Sequence, residues 1–377
     1  MSMPFDIVCL SHLRWDFVFQ RPQHLLTRCA QSRRVIFVEE PIFSGVTPHM
    51  DVSERSCGVM VVVPHVPDSD RDAAEAIITH LLPETLNDLD IHDYALWYYT
   101  AMAIGISSAL HPVVTIYDAM DELSAFAGAS SELKTREAEL FKRADLVFTG
   151  GRSLFEAKRS RHPNVYCFPS SVEVGHFAKA KAPQPDPSDQ ATISTPRVGF
   201  FGVVDERFDI ELLAGAAELR PDYQFVVIGP VVKIDPSTLP RRDNIHYLGG
   251  KSYGELPSYL ANWDVAMLPF ARNESTRFIS PTKTPEYLAA GKPVVSTSIQ
   301  DVVQPYGDLG LVKIADTPSE FVAAIDSLLS QSSTAHTERA DKFLEGMSWD
   351  KTWAAMNELI EEKADQKLAM PTATITE

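Results

Sequence analysis

The stretch Phe278–Thr297, which reads FISPTKTPEYLAAGKPVVST, decides the fold of this chain. Its pattern predicts a loop that ends at Pro281, a short helix that opens near Thr282 with a proline at an early helical position, and a stop at Gly291 before a buried strand. A helix followed at once by an apolar strand is typical of a doubly wound α/β sheet. In such sheets ligands bind outside the carboxyl ends of the strands.

The predicted helix carries residue types that suit a nucleotide. A helix start offers free backbone N–H groups and a partial positive charge to a diphosphate, and Lys283 would add a point charge on the same side. Glu286 lies one turn into the helix and could accept two hydrogen bonds from ribose hydroxyls. A capped surface helix with a solvated Lys283 and Glu286 explains the same residues, and the pattern alone favours neither interpretation.

Short apolar runs alternate with helical patterns on both sides of this stretch, for example at Phe5–Leu10, Val35–Val38 and Val198–Phe201. Such alternation is typical of parallel sheets covered on both faces. The segment Lys181–Pro196 contains four prolines and reads as a linker. We therefore predict two Rossmann-like α/β domains that face each other across a cleft, at residues 1–180 and 197–345, with the linker at 181–196, a helix at 346–363 and a frayed tail at 364–377.

Composition limits the classes of function. The 377 residues are 45% hydrophobic and 23% charged, which is the balance of a globular protein. The net charge of −17 argues against a general nucleic-acid binder, because phosphate backbones need a positive surface. The four cysteines form no CxxC pair and the eleven histidines show no HxxxH spacing, so we expect no metal and no cofactor. The sequence also lacks a secretory signal pattern, which predicts a cytoplasmic protein.

The segment PTKTPEYLAAGKPVVST resembles the donor-binding part of GT-B glycosyltransferases, especially family 4. Ile245–Gly249 and Phe225–Gly229 resemble two further strands of that family's nucleotide domain, and Gly199–Asp209 resembles its first strand and loop. The resemblance implies that Glu286 holds the nucleotide ribose and that Arg207 meets the donor phosphates. It also implies a GT-B fold for the whole chain, in which the helix at 346–363 crosses back to the first domain.

Two departures from the family pattern shape the donor site. Family 4 usually has a second acid eight positions before the ribose glutamate, where this chain has Phe278, and Glu274 is the candidate substitute. No lysine occurs from Asp209 to Leu213, so we expect Lys283 to carry more of the phosphate charge. The predicted donor site comprises Arg207, Lys283, Glu286, Thr282, Asn273, Glu274 and Gly202.

The N-terminal segment Leu10–Leu26, LSHLRWDFVFQRPQHLL, resembles the start of a group of bacterial polysaccharide glycosyltransferases. It follows the first predicted strand, so its polar residues are expected near the acceptor. An alternative is that Trp15 and Phe17 are core residues and that Arg21 caps a carbonyl. The predicted acceptor-side residues are Arg14, Trp15, Arg21, Gln23 and Arg152, with His24 as a catalytic candidate.

Two carboxylates follow the predicted strand Val113–Ile116. Asp118 and Asp121 are three positions apart and would share a face of one helical turn. A carboxylate at a strand end could serve as the general base for an acceptor hydroxyl, and Asp118 is the first choice because it is nearer the strand. An N-cap and a solvated side chain are the alternative roles. Arg152 follows two glycines in Thr149–Ser153, which suit either a close ligand or a tight turn.

Together these patterns predict a hexosyltransferase that moves a sugar from a nucleotide-sugar donor to a hydroxyl on a saccharide or lipid-linked saccharide, in bacterial polysaccharide or glycoconjugate assembly. The family resemblance implies retention of configuration, with inversion by Asp118 or Asp121 as the alternative. A nucleotide-sugar epimerase and a non-catalytic assembly partner are the rival functions. The segment Lys134–Arg161 carries a local charge of +4 and predicts either peripheral contact with the inner face of the membrane or an ordinary solvated helix face.

Overall fold

The structure is a computed structural model, and it describes residues 5–331 and 333–369. The described residues form two compact units. The first contains residues from Met1–Ser124, Gly128–Phe168 and Asp350–Glu377, and the second contains Ala125–Ala127 and Pro169–Trp349. Each unit is an α/β domain built around its own predominantly parallel sheet, which confirms the predicted fold class.

The first sheet has the strand order β3-β5-β2-β1-β6-β7-β8-β9, with β4 antiparallel to β5. Its strands run at β1 Asp6–Leu10, β2 Val35–Val38, β3 Ile42–Ser44, β4 His49–Glu54, β5 Val59–Pro67, β6 Tyr94–Tyr98, β7 Val114–Ala119, β8 Leu146–Thr149 and β9 Val165–Cys167. The helices of this unit are α1 Arg21–Cys29, α2 Ala74–Asp88, α3 Leu133–Arg143 and α4 Arg152–Lys158. The chain adds β2 and β5 on one side of β1 and then β6 on the other, so the strand order reverses between β1 and β6.

The second sheet is parallel throughout, in the order β12-β11-β10-β13-β14-β15. Its strands run at β10 Arg197–Phe201, β11 Gln224–Ile228, β12 Ile245–Tyr247, β13 Val265–Leu268, β14 Val294–Ser296 and β15 Val312–Ile314. The remaining helices are α5 Val174–Phe177, α6 Ile210–Leu219, α7 Leu256–Ala261, α8 Lys283–Ala289, α9 Gln300–Val302, α10 Pro318–Ser330, α11 Ser333–Leu344 and α12 Trp349–Ala369. The predicted helix stop is confirmed, because Gly291 follows α8 with φ +71° and β14 begins three residues later.

The proline-rich segment is packed against the second unit. Trp263 donates from its indole nitrogen to the Gln190 side chain at 2.8 Å, and Arg197 pairs with Asp186 at 2.6 Å. Ile193 belongs to the core of the second sheet. The boundary between the units therefore falls at Phe168, ahead of the predicted residue 180, because Val172, Phe177 and Ala180 already contribute to that second core.

Helix α12 packs on the first unit, and its length corrects one prediction. Trp353 stacks on Trp97 with ring centroids 6.3 Å apart, and Glu361 pairs with Arg33 at 2.5 Å. The buried stripe continues through Ile360 and Ala364, so the helix extends to Ala369 where a frayed tail was expected from residue 364. The remainder of the predicted tail, 370–377, lies outside the described residues.

Within residues 5–331 and 333–369, none of the helices has both the length and the apolar composition needed to span a bilayer.

Candidate functional site

The carboxyl end of β10 is where the second unit brings its predicted donor residues together. Gly202 follows β10 with φ +149°, a conformation that L side chains rarely adopt, and its N–H donates to the Ile228 carbonyl at 2.8 Å. A Cβ placed on Gly202 would collide with the Lys283 side chain and would lie 3.2 Å from its Nζ. The glycine therefore makes room for a cationic side chain directly over the strand end.

Helix α8 is held against this strand end by its own aromatic side chain. The Tyr287 hydroxyl accepts a hydrogen bond from the backbone N–H of Phe201 at 2.9 Å, and Tyr287 is fully buried. Lys283 is the first residue of α8, and its Nζ lies 5.8 Å from the centre of the Phe201 ring. The helix thus fixes Lys283 and Glu286 relative to the end of β10.

Glu286 is a buried carboxyl. Its exposed fraction is 4%, and burial raises its pKa to about 7, although the nearby charge of Lys283 acts to lower that pKa. At neutral pH the Glu286 side chain would therefore be ionised in about half of the molecules. A negative charge in an apolar setting is unfavourable unless hydrogen-bond donors are supplied. Perturbed carboxyls of this kind are concentrated at functional sites.

Thr284 was missed by the sequence analysis. Its side chain is fully buried, and its Oγ1 has no hydrogen-bond partner within the part of the chain that the structure describes. Buried hydroxyls in proteins are normally satisfied, so this atom is available to a bound molecule or an ordered water. Thr282 precedes it as the N-cap of α8 and is half-buried.

Arg207 is held in a fixed orientation by Asp205, which the sequence analysis also missed. The guanidinium donates from Nε to both carboxylate oxygens of Asp205, at 3.0 and 3.1 Å, and the backbone N–H of Arg207 donates to the same carboxylate at 3.0 Å. The guanidinium carbon lies 5.3 Å from the centre of the Phe126 ring. A phosphate that binds Arg207 would therefore share its guanidinium N–H groups with the buried Asp205 carboxylate.

Asn273 and Glu274 have different environments. The Asn273 side chain caps the short helix Glu274–Thr276, because it accepts from the Ser275 N–H at 3.0 Å, and it donates to the Glu206 carbonyl at 3.3 Å. Asn273 thus joins the loop after β10 to the loop after β13, at the carboxyl end of the sheet. The Glu274 side chain is 78% exposed and lies 3.7 Å from Arg277, so its predicted role as the second donor acid stays a prediction.

Asp118 lies in a buried ion pair, and its predicted role as a general base stays a prediction. Its carboxylate is 0% exposed and accepts from the Nε of Arg21 at 3.2 and 3.0 Å. Arg21 also donates to the Phe168 carbonyl at 2.7 Å. Burial raises the pKa of Tyr99 well above its ordinary value, and the Asp118 charge adds to this rise. Arg21 therefore covers the Asp118 carboxylate, and both side chains are buried in this structure.

The loop after β1 is organised by Glu39, which the sequence analysis missed. The carboxylate accepts from Arg14 Nη1 and from the Trp15 N–H, both at 2.8 Å. The Gln23 side chain donates to the Trp15 carbonyl at 2.7 Å, and the Trp15 ring packs edge-on against Phe37. The alternative of a core Trp15 is therefore correct, and Gln23 is a buried loop anchor. Phe17, its companion in that alternative, is instead half exposed.

The other predicted residues of the first unit stay untested. His24 is buried in α1 and its ring meets Phe19 edge-on at 4.7 Å. Asp121 is half-buried in the loop after β7, and Arg152 is exposed at the start of α4. The first of the two glycines before Arg152 has a structural explanation, since a Cβ on Gly150 would lie 2.5 Å from the Met120 carbonyl oxygen.

The basic segment Lys134–Arg161 is largely neutralised by acids. Lys158 is buried and pairs with Glu122 at 2.8 Å and with Glu137 at 2.5 Å. Other members of the segment also form ion pairs, namely Arg136, Arg143, Arg159 and Arg161. Paired cations attract anionic lipid weakly, so the structure favours the solvated-face alternative.

Comparison with known proteins gives the fold of the chain and shows which family part of it is similar to. Residues 195–331 match the family model described as glycosyl transferases group 1. The chain is 26% identical over 255 residues to the Bacillus subtilis protein TuaH, whose name assigns it as a teichuronic acid biosynthesis glycosyltransferase. That alignment covers 63% of this chain, and the chain spans 64% of the length of this curated relative.

Solved structures resemble nearly the whole chain. Sucrose-phosphate synthase from Thermosynechococcus elongatus has a TM-score of 0.70 at 14% identity and covers 95% of this chain and 98% of its own. An E. coli structure described as trehalose-6-phosphate bound with UDP-2-fluoro glucose has a TM-score of 0.67 at 13% identity, with 97% and 100% coverage. Anabaena HepE in complex with UDP and glucose gives 0.66 at 13% identity, with 94% and 99% coverage. The chain therefore has the GT-B fold, and its residues 195–331 are similar to the family of glycosyl transferases group 1.

Proposed function

We propose that this protein is a glycosyltransferase that moves a sugar from a nucleotide-sugar donor to a hydroxyl of a saccharide acceptor. The observation that carries the proposal is the buried Glu286 beside Lys283, over Gly202 at the end of β10. A nucleotide diphosphate has groups that suit both side chains, since ribose hydroxyls would donate to the carboxylate and phosphate oxygens would accept from the ammonium.

We infer that uridine diphosphate is the nucleotide to test first, because two structural neighbours are described with UDP or a UDP sugar. In the transfer step, the bond between the anomeric carbon and the donor phosphate breaks and the phosphate leaves as the nucleoside diphosphate. The acceptor oxygen bonds to the anomeric carbon and gives up its proton. Resemblance to family 4 supports retention of configuration, with that proton passing to the leaving phosphate.

The N-terminal resemblance and the likeness to TuaH support a role in bacterial polysaccharide or glycoconjugate assembly. We place the protein in the cytoplasm, where it would use a saccharide or lipid-linked saccharide as acceptor and no metal or other cofactor. Inversion remains the alternative mechanism, with Asp118 or Asp121 as its base. The paired state of the basic segment gives peripheral membrane contact little support.

The test is calorimetric titration of the full chain with UDP, GDP and dTDP, and with the matching nucleosides. Lys283→Ala should weaken binding of the diphosphate more than binding of the nucleoside. Glu286→Ala should raise the dissociation constant of the nucleotide about tenfold or more, since each charge-assisted hydrogen bond contributes roughly 1.5–3 kcal/mol. A 2′,3′-dideoxy analogue should bind wild type poorly and be nearly indifferent to Glu286→Ala.

Glu218→Ala is the matched control, because it removes an exposed carboxylate of the same unit that lies outside the predicted donor site. Transfer to an acceptor would support the proposal, while turnover without an acceptor would indicate the epimerase. Nucleotide binding with no turnover would indicate the non-catalytic partner. Failure of all three nucleotides to bind would overturn the donor site.

A further inference from the structure

A cavity of about 350 Å³ lies within the first unit, and the donor-side argument makes no use of it. It opens at the carboxyl ends of β1, β2 and β6, where Ser11, Glu39 and Thr100 line it. The strand order of the first sheet reverses between β1 and β6, and such a switch point is where doubly wound sheets bind ligands. Its volume lies in the range of small-molecule sites.

The walls of this cavity are mainly apolar. The aliphatic and aromatic side chains that line it come from both sides of the switch point and include Val38, Phe43, Ile78, Met102 and Ile106. Three hydrogen-bonding side chains interrupt this surface at the strand ends, namely Ser11, Glu39 and Thr100. An apolar wall with a few polar groups at one end suits a molecule that has an apolar body and a hydroxylated head.

The charge of the lining selects against anions. Three carboxylates, those of Glu39, Glu40 and Glu75, line the cavity, and among its described lining residues there is no Lys, Arg or His. Arg14 pairs with Glu39 at 2.8 Å and Arg136 pairs with Glu75 at 2.5 Å, and neither arginine is among the residues that line the cavity. A phosphate in the cavity would therefore meet carboxylates and no cation, whereas phosphate recognition relies on Arg and Lys.

We propose that this cavity is the acceptor subsite and that it takes an uncharged sugar carrying an apolar group, while it rejects sugar phosphates and other anionic acceptors. The proposal rests on the proposed glycosyltransferase function and names the chemical class of its acceptor. The apolar group would lie against Phe43 and Met102, with the sugar hydroxyls at Ser11, Glu39 and Thr100.

The experiment measures binding of p-nitrophenyl hexosides and of hexose 6-phosphates to the full chain, with and without saturating UDP. We expect at least one p-nitrophenyl hexoside to bind ten-fold or more tightly than the corresponding hexose 6-phosphate. Ala103→Phe should fill the cavity and weaken hexoside binding at least ten-fold. Glu40→Lys should reduce the ratio of hexoside affinity to hexose 6-phosphate affinity at least five-fold, because it puts a cation at the cavity wall.

Glu54→Lys is the matched control, since it makes the same charge change on β4, away from the cavity lining. It should leave the preference unchanged. Thermal unfolding of each variant reports whether the first unit is folded, and UDP binding, which depends on the second unit, tests the donor site separately. If UDP binds normally but hexose 6-phosphates bind as well as the neutral hexosides, the acceptor class is wrong and the donor proposal stands. If no nucleotide binds, the glycosyltransferase proposal fails even where hexoside binding is retained and sensitive to Ala103→Phe.

Discussion

The burial of Glu286 makes a prediction in which stability and binding change in opposite directions. Below pH 4.5 its carboxyl is protonated in both the folded and the unfolded chain. As the pH rises to about 7, the unfolded chain releases this proton and the folded chain retains it, so the free energy of unfolding falls. Above that pH the loss is complete. Glu286→Gln cannot ionise and should not show this loss.

The magnitude follows from the shift in pKa. A rise from 4.5 to about 7, at 1.36 kcal/mol per pH unit, corresponds to roughly 3 kcal/mol. At pH 8.5 and without ligand, Glu286→Gln should therefore be more stable than wild type by up to about this amount. At pH 4.5 this advantage should be absent. The same variant should bind the nucleotide about tenfold more weakly, since an amide is a weaker acceptor for ribose hydroxyls than a carboxylate.

The assay compares thermal unfolding of wild type and Glu286→Gln between pH 4.5 and 8.5, with nucleotide titrations at each pH. In a unit of this size one kcal/mol shifts Tm by about 2–4 °C, so the difference is readily measured. Glu218→Gln, which changes an exposed carboxyl of the same unit outside the predicted donor site, should follow wild type throughout. Parallel pH profiles for wild type and Glu286→Gln would refute the argument from burial. Unchanged nucleotide affinity would refute the ribose contact.

Three further predictions concern residues that the structure places in packed surroundings. Lys158→Met should lower the free energy of unfolding by about 3–5 kcal/mol, because it leaves buried carboxylates without their cation, and urea denaturation would reveal a smaller loss if the network is solvated. Gly202→Ala should weaken UDP binding about tenfold by displacing Lys283, while Gly254→Ala, which meets nothing within 4 Å, should leave calorimetric affinity unchanged. Asp118→Asn should destabilise the protein by about 3–5 kcal/mol, and a fully stable variant would show that the Arg21 pair is dispensable.

The helix and strand bounds of the second unit could be predicted from the sequence where the residues that determine them lie close together in the chain. The proline, Gly291 and the apolar strand residues that delimit α8 lie within one stretch, and the structure places the helix there. Lys283 and Glu286 were also found together because they are neighbours on one helix. Their surroundings were not predictable, since Gly202 approaches Lys283 across the sheet and Tyr287 anchors the helix to a strand far away in the chain.

The first unit shows why the surroundings of polar residues at strand ends could not be predicted. Asp118 has the position of a catalytic carboxylate, but Arg21, 97 residues away, neutralises and covers it. Glu39 likewise accepts hydrogen bonds from Arg14 and Trp15 because β1 and β2, which precede these residues, are neighbours in the sheet. Side chains that are far apart in sequence meet according to the sheet topology, and a single sequence carries no record of that pairing. The composition of the 181–196 segment predicted a linker, and the structure shows that this segment is hydrogen-bonded and ion-paired within the second unit.

The return of α12 to the first unit has a consequence for the order in which the protein is made. The surface around Trp97 is completed by Trp353, and about 180 residues of the second unit lie between Phe168 and that helix. At a synthesis rate of about 5–20 residues per second, a ribosome needs roughly 10–40 s to cross this interval. During that time the nascent first unit presents an uncovered aromatic surface, while the second unit can close on itself as soon as it has emerged. In this chain the half that is translated first is therefore the half that finishes folding last.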